Sequence, residues 1–191
     1  MKTNSALAEI FIEFKWDPTD DPFCDVFEVD HEYQSFLRET KAAHDTLGQI
    51  TSYAAAQLGA QFRTHVYSVF ILRDTARILR WDRTGTIVTE AIKYNKFDIL
   101  AEFFARYSKA PPAMCGKDDS ASDPTDAEKH AAREALQLEK TVPLVKLSIP
   151  DADGGTRYFV TSTPVASLYT PPGAPPVASK PTIFCRGQWF F

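Results

Sequence analysis

The sequence predicts an α/β (α+β) protein: a central mixed sheet with flanking helices, then a C-terminal β-hairpin and a disordered tail. Three observations lead there. Stretches alternating apolar and polar at period two are interleaved with stretches repeating at helical spacing. With 44% hydrophobic and 24% charged residues, the 191-residue chain has a globular composition and can bury a core. From Pro164 onward the last 28 residues hold six Pro and no acid, a composition that does not build periodic elements.

The elements follow in chain order. Residues 8–15 alternate, with Ile10, Ile12 and Phe14 on one face and Glu9, Phe11, Glu13 and Lys15 on the other. Trp16-Asp17-Pro18 ends that strand and opens a loop over 16–30. From His31 to about Gly59 the spacing of Ala43, Leu47, Ile50, Ala54 and Leu58 predicts a helix, with Gly59 as its stop. Residues 65–72 are apolar on both faces and read as a central strand. A turn at Arg73-Asp74, alternation over 76–82, a turn at 83–85 and a return over 86–90 complete an antiparallel meander.

Phe97 to Tyr107 is amphipathic at helical period. Residues 108–123 read as irregular. Thr125-Asp-Ala-Glu128 is a capping-box pattern opening a helix to about Lys140. Residues 142–149 and 157–160, around Asp151-Ala-Asp-Gly-Gly155, form a second hairpin.

Charge and cysteine usage narrow the function classes. A net charge of −4 and a pI of about 5.6 argue against a general electrostatic binder of nucleic acid or membrane. No apolar run reaches the roughly 18–20 residues of a membrane helix, and the first nine residues lack a secretory apolar segment. Cys24, Cys115 and Cys185 are odd in number and widely spaced, which fits unbridged thiols in an intracellular compartment, cytoplasm or nucleus. The four histidines form no zinc-spaced cluster.

Two constellations point to chemistry. Glu13 and Lys15, two apart on a strand, project to one side, where the carboxylate can hold a divalent metal and the ammonium can polarise water or a phosphate. Gln49 and Tyr53, four apart on the following helix, share one helix face. If that helix packs on its strand, Gln49 reaches Glu13 or Lys15, since burying either unpaired is costly. A basic set, Arg63, His65, Arg73, Arg77, Arg80 and Arg83, is a third candidate, for nucleic-acid contact. Arg77 and Arg80 fall on opposite strand faces, however, and ion pairing with Asp74, Asp82 and Glu90 competes. Ala91-Ile92-Lys93 echoes a kinase lysine strand, but no Gly-rich loop, His-Arg-Asp or Asp-Phe-Gly accompanies it.

The E-x-K strand followed by a QxxxY helix resembles the PD-(D/E)xK nucleases of recombination type. That resemblance implies a nuclease-like fold with Glu13 as metal ligand, Mg²⁺ or Mn²⁺ as cofactor, and nucleic acid as substrate. The class carries its metal-binding Asp on a preceding strand, which this sequence lacks, so a loop acid such as Asp30 would have to replace it.

A longer stretch resembles another family. Gly48-Gln-Ile-Thr-Ser-Tyr-Ala54, then Phe62-Arg-Thr64, then Ala76-Arg-Ile-Leu-Arg-Trp-Asp-Arg-Thr-Gly85 is similar to the region preceding the kinase lobe in the fungal-type protein kinase domain family. Ile12-Glu-Phe-Lys15, Asp20-Asp-Pro-Phe23 and Gly116-Lys-Asp-Asp119 fit it as well, so the likeness covers roughly residues 8–170. It implies an α/β domain over 1–140, a β-hairpin at the start of the kinase-like part over 141–163, and a tail over 164–191. It fades after Pro172-Gly173, before any catalytic motif. The implied function is a truncated, non-catalytic N-terminal domain acting as an accessory or regulatory binding module, with no cofactor, no membrane, and a kinase-like lobe or other protein as partner. The alternatives are a metal-dependent nuclease using Glu13, Lys15, Gln49 and Tyr53, and a non-functional gene fragment.

Overall fold

The computed structural model describes residues 5–25, 36–162 and 183–184. Its main sheet is mixed, in the order β1-β2-β3-β4-β8. β1 (Ile10–Phe14) lies parallel to β2 (His65–Ile71), and α1 (Lys41–Ala60) makes the crossover between them. β2, β3 (Ala76–Asp82) and β4 (Thr86–Val88) form the expected antiparallel meander. A two-residue strand, β8 (Ile183–Phe184), pairs parallel with β4; the rest of the 164–191 segment lies outside the described residues.

Every residue of β2 but the last is buried, because helices cover both faces of the sheet. On one face Val66, Phe70, Leu79 and Trp81 pack with Ile50 and Ala54 of α1, and Phe11 joins them. On the other, Tyr67, Val69 and Ile78 pack with Phe103 of α2 (Ile99–Tyr107), and Ile10 joins those. The alternation read from β1 therefore holds: odd positions face α1 and even positions face α2. Buried Ser68, on the α1 face of β2, accepts a hydrogen bond from Trp81 Nε1 at 2.8 Å, so the indole N–H is not left unpaired.

A second sheet, antiparallel in the order β5-β6-β7, consists of β5 (Ala121–Ser122), β6 (Leu144–Pro150) and β7 (Thr156–Ser162). α3 (Asp126–Leu136) opens with the predicted capping box, Thr125 and Glu128 each satisfying the other's backbone.

Some boundaries differ from expectation. The helix expected from His31 begins at Lys41, with the Thr40 hydroxyl accepting from the Ala43 N–H at 3.2 Å. Residues 31–35 lie outside the described residues. Residues 36–38 cannot be helical, because their backbone pairs with 22–24: Cys24 donates to Phe36 O at 2.8 Å and Arg38 to Pro22 O at 2.9 Å. Gly59 is inside α1 rather than its stop, and Gln61 caps the helix in an extended conformation. α3 ends at Leu136 rather than near Lys140, because Gln137 turns left-handed at φ 52°. β5, within the segment read as irregular, is too short to leave a periodic signal.

Gly116 is a glycine that the packing demands. At φ +90°, a Cβ there would meet the His65 carbonyl oxygen at 1.9 Å. The loop thus lies directly on β2, where Thr64 N donates to Gly116 O at 2.9 Å.

Candidate functional site

Glu13, Lys15, Gln49 and Tyr53 converge in one hydrogen-bonded quartet. Odd positions of β1 face α1, and the i, i+4 spacing points Gln49 and Tyr53 back at them. Lys15 Nζ donates to Gln49 Oε1 at 3.0 Å, and Gln49 Nε2 donates to Glu13 Oε1 at 3.0 Å. The same Nε2 donates to Tyr53 Oη at 2.9 Å. Lys15 Nζ lies 3.5 Å from Glu13 Oε1, which closes the ring. The side chains of Glu13 and Lys15 are 16% and 28% exposed, so the quartet opens to solvent at the sheet edge. Phe11 stacks edge-on against Tyr53 at 5.5 Å and forms an apolar flank.

The amide orientation of Gln49 follows from this chemistry. Its oxygen must meet the ammonium and its nitrogen the carboxylate, since the reverse would set like against like. One glutamine thereby bridges a cation and an anion carried on the same strand.

The quartet does not fit a divalent metal as arranged. Magnesium and manganese sites take several oxygen ligands, usually with more than one carboxylate or a phosphate. Here one carboxylate is present; its Oε1 already accepts from Gln49, and the Gln49 oxygen is held by Lys15. Among the described residues no group of three or more His, Cys, Asp or Glu is placed to hold a metal ion. Asp30, the alternative acid, lies outside the described residues.

The basic set does not assemble into a patch. Arg63 is buried, donating to Cys115 O at 2.7 Å and to Glu9 Oε2 at 2.6 Å. Although burial raises the Glu9 pKa, Arg63 and Lys117 outweigh that and hold the carboxyl below its usual range. Arg73 pairs with Asp74 and Arg80 with Asp82, as the competing reading expects. His65 is buried against Met114 O at 3.2 Å; burial, with Arg80 nearby, pushes its pKa down.

Arg77 is the departure. Its partners are not Asp74, Asp82 or Glu90 but Asp21 and Asp25, from the loop after β1, at 2.8 and 2.6 Å. It also donates to Thr89 O at 3.1 Å. Burial pulls the guanidinium pKa down, and the two carboxylates more than reverse that. Nothing in residue spacing signals this contact, because 56 residues separate Asp21 from Arg77.

A cleft of about 480 Å³ also went unforeseen. It lies beside α2, lined by Tyr67, Phe103, Tyr107, Lys109 and Met114 among others. Burial there pushes the Tyr107 hydroxyl up to about 12. Among the described residues no helix is long and apolar enough to cross a membrane. The two cysteines among them, Cys24 and Cys115, are unbridged, and Cys185 lies outside. No protein-family model, curated protein or solved structure matches the chain.

Proposed function

We propose that the chain is a non-catalytic accessory module, akin to the region preceding the kinase lobe in fungal-type protein kinases, and that it works by binding. The observation that carries the reading is the closure of Glu13 and Lys15 through Gln49. A nuclease lysine has to meet water or phosphate, and a nuclease carboxylate has to meet metal. Here each is engaged by the other and by one amide, as in a scaffold that ties α1 to β1. The partner class is a kinase-like lobe or another protein. Incubation with radiolabelled ATP, Mg²⁺ and a generic protein substrate is expected to give no phosphotransfer; clear Mg²⁺-dependent transfer sinks the proposal.

The nuclease reading keeps one observation in its favour: the E-x-K and QxxxY residues meet at hydrogen-bond distance rather than merely sharing a chain order. Digestion of single- and double-stranded DNA with Mg²⁺ or Mn²⁺ separates the two readings. Cleavage that disappears in Glu13→Ala establishes the nuclease; no cleavage by either protein favours the module.

A further inference from the structure

β1 ends the main sheet with one side unpaired among the described residues, and the residues on that side are apolar. Lys15 N donates to Ile71 O at 2.9 Å, so odd positions of β1 turn their backbone groups toward β2. In a parallel ladder the alternate residues turn both N–H and C=O the other way. Ile10, Ile12 and Phe14 therefore offer their backbone groups to the open edge. Ile12 and Phe14 are also 42% and 66% exposed, and Trp16, in the bend just after the strand, is 75% exposed. A flat apolar edge of this kind is a template for another strand.

We propose that this edge pairs antiparallel with β1 of a second copy, about a two-fold axis through Ile12. The segment Glu9-Ile-Phe-Ile-Glu-Phe-Lys15 is self-complementary about that point. Ile12 faces its own counterpart, and Ile10 faces Phe14 of the other copy, a β-branched residue against an aromatic. These three positions carry the outward backbone groups, so the centred register makes three doubly hydrogen-bonded pairs. The acids stay apart in this register: Glu13 falls opposite Phe11 of the other copy, and Glu9 and Lys15 keep their own partners Arg63 and Gln49. Shifting the register by two residues sets Glu13 against its own counterpart or against Glu9, and shifting by one presents inward-turned backbone. The two sheets become one, with both α1 helices on one face. This inference does not depend on the accessory-module reading.

A five-residue edge is a small interface, so association in roughly the micromolar range is expected. Analytical ultracentrifugation of the full chain from about 5 to about 200 μM should show a concentration-dependent doubling of mass. Ile12→Lys places two ammonium groups across the axis and should weaken association at least about tenfold, with the thermal midpoint unchanged only at dilutions where both proteins are monomeric. Phe14→Lys is the second variant, should the first fail to fold. Ile12→Cys should cross-link through a short bis-maleimide, since doubly bonded pairs bring Cα atoms to about 5.5 Å but hold Cβ atoms too far apart for an unstrained disulfide. The unmodified protein, with its own three cysteines, is the control. A monomer at about 200 μM overturns the proposal and leaves the edge to a strand of a different chain. A dimer that survives both lysine variants, or that fails to cross-link through Ile12→Cys, overturns it too.

Discussion

Glu13, Phe70 and Arg77 stand in one cross-strand row, all facing α1. The two ends of the row carry ionic networks of the same chemistry in different settings. At the outer end, Glu13, Lys15, Gln49 and Tyr53 sit at the sheet edge, partly open to water. At the inner end, two strands deeper, Arg77 is buried against Asp21 and Asp25 and clamps the loop after β1 onto β3. Phe70, 1% exposed, separates them. A salt bridge that solvent can reach loses little when broken; breaking a buried one leaves an uncompensated charge and costs several times more. The quartet is thus the weaker tie of the two, and the Arg77 cluster the stronger.

The largest expected effect belongs to the inner network. Arg77→Ala leaves Asp21 and Asp25 without their guanidinium and should cost about 3–5 kcal/mol in urea denaturation. A loss below about 1 kcal/mol would place the cluster in the exposed class and erase the contrast.

Gln49→Ala should cost less, about 1–2 kcal/mol, because it removes three hydrogen bonds at a site where water can replace the partners. The same denaturation series measures it. Gln49→Glu separates the roles further: a carboxylate there suits Lys15 but repels Glu13, so it should lose more stability than Ala at pH 7 and recover below about pH 4, where carboxyl groups protonate.

The smallest effect comes from a third pair of the same type, partly exposed and away from the main sheet. Glu128 accepts from Lys146 at 2.6 Å and from Thr125, and these bonds hold its carboxyl at about 2. A depressed acid contributes stability that is complete above its ordinary value of 4.5 and disappears as pH falls toward 2. Carboxyl titration followed by NMR should show Glu128 ionised down to about pH 2, rising toward the ordinary range in Lys146→Met. The thermal midpoint at pH 7 should fall modestly in Lys146→Met, and the difference should close as pH falls toward 2.

Much of this was legible in the chain. The β1 alternation, the β2–β4 meander, the capping box at Thr125 and the hairpin of β6 and β7 each rest on local pattern, and local pattern is a property of neighbouring residues. The quartet was legible for the same reason in two steps: period two places Glu13 with Lys15, and period 3.6 places Gln49 with Tyr53. The start of α1 was not. Helical spacing continues upstream of Thr40, but the 22–24 segment takes the backbone groups of residues 36–38, and no window of sequence contains both strands of that contact.

By itself the sequence determined which faces are apolar, where most turns fall, and that Glu13 and Lys15 share a side. Those outcomes depend on backbone periodicity and turn chemistry, which act over a few residues. Only the tertiary structure decided that Arg77 takes Asp21 and Asp25 rather than the nearer Asp74, that Gly116 must lie on His65, and that β1 is an edge among the described residues. Each of these is a choice among partners far apart in the chain, made by which buried charge is left otherwise unpaired and which surfaces close around it.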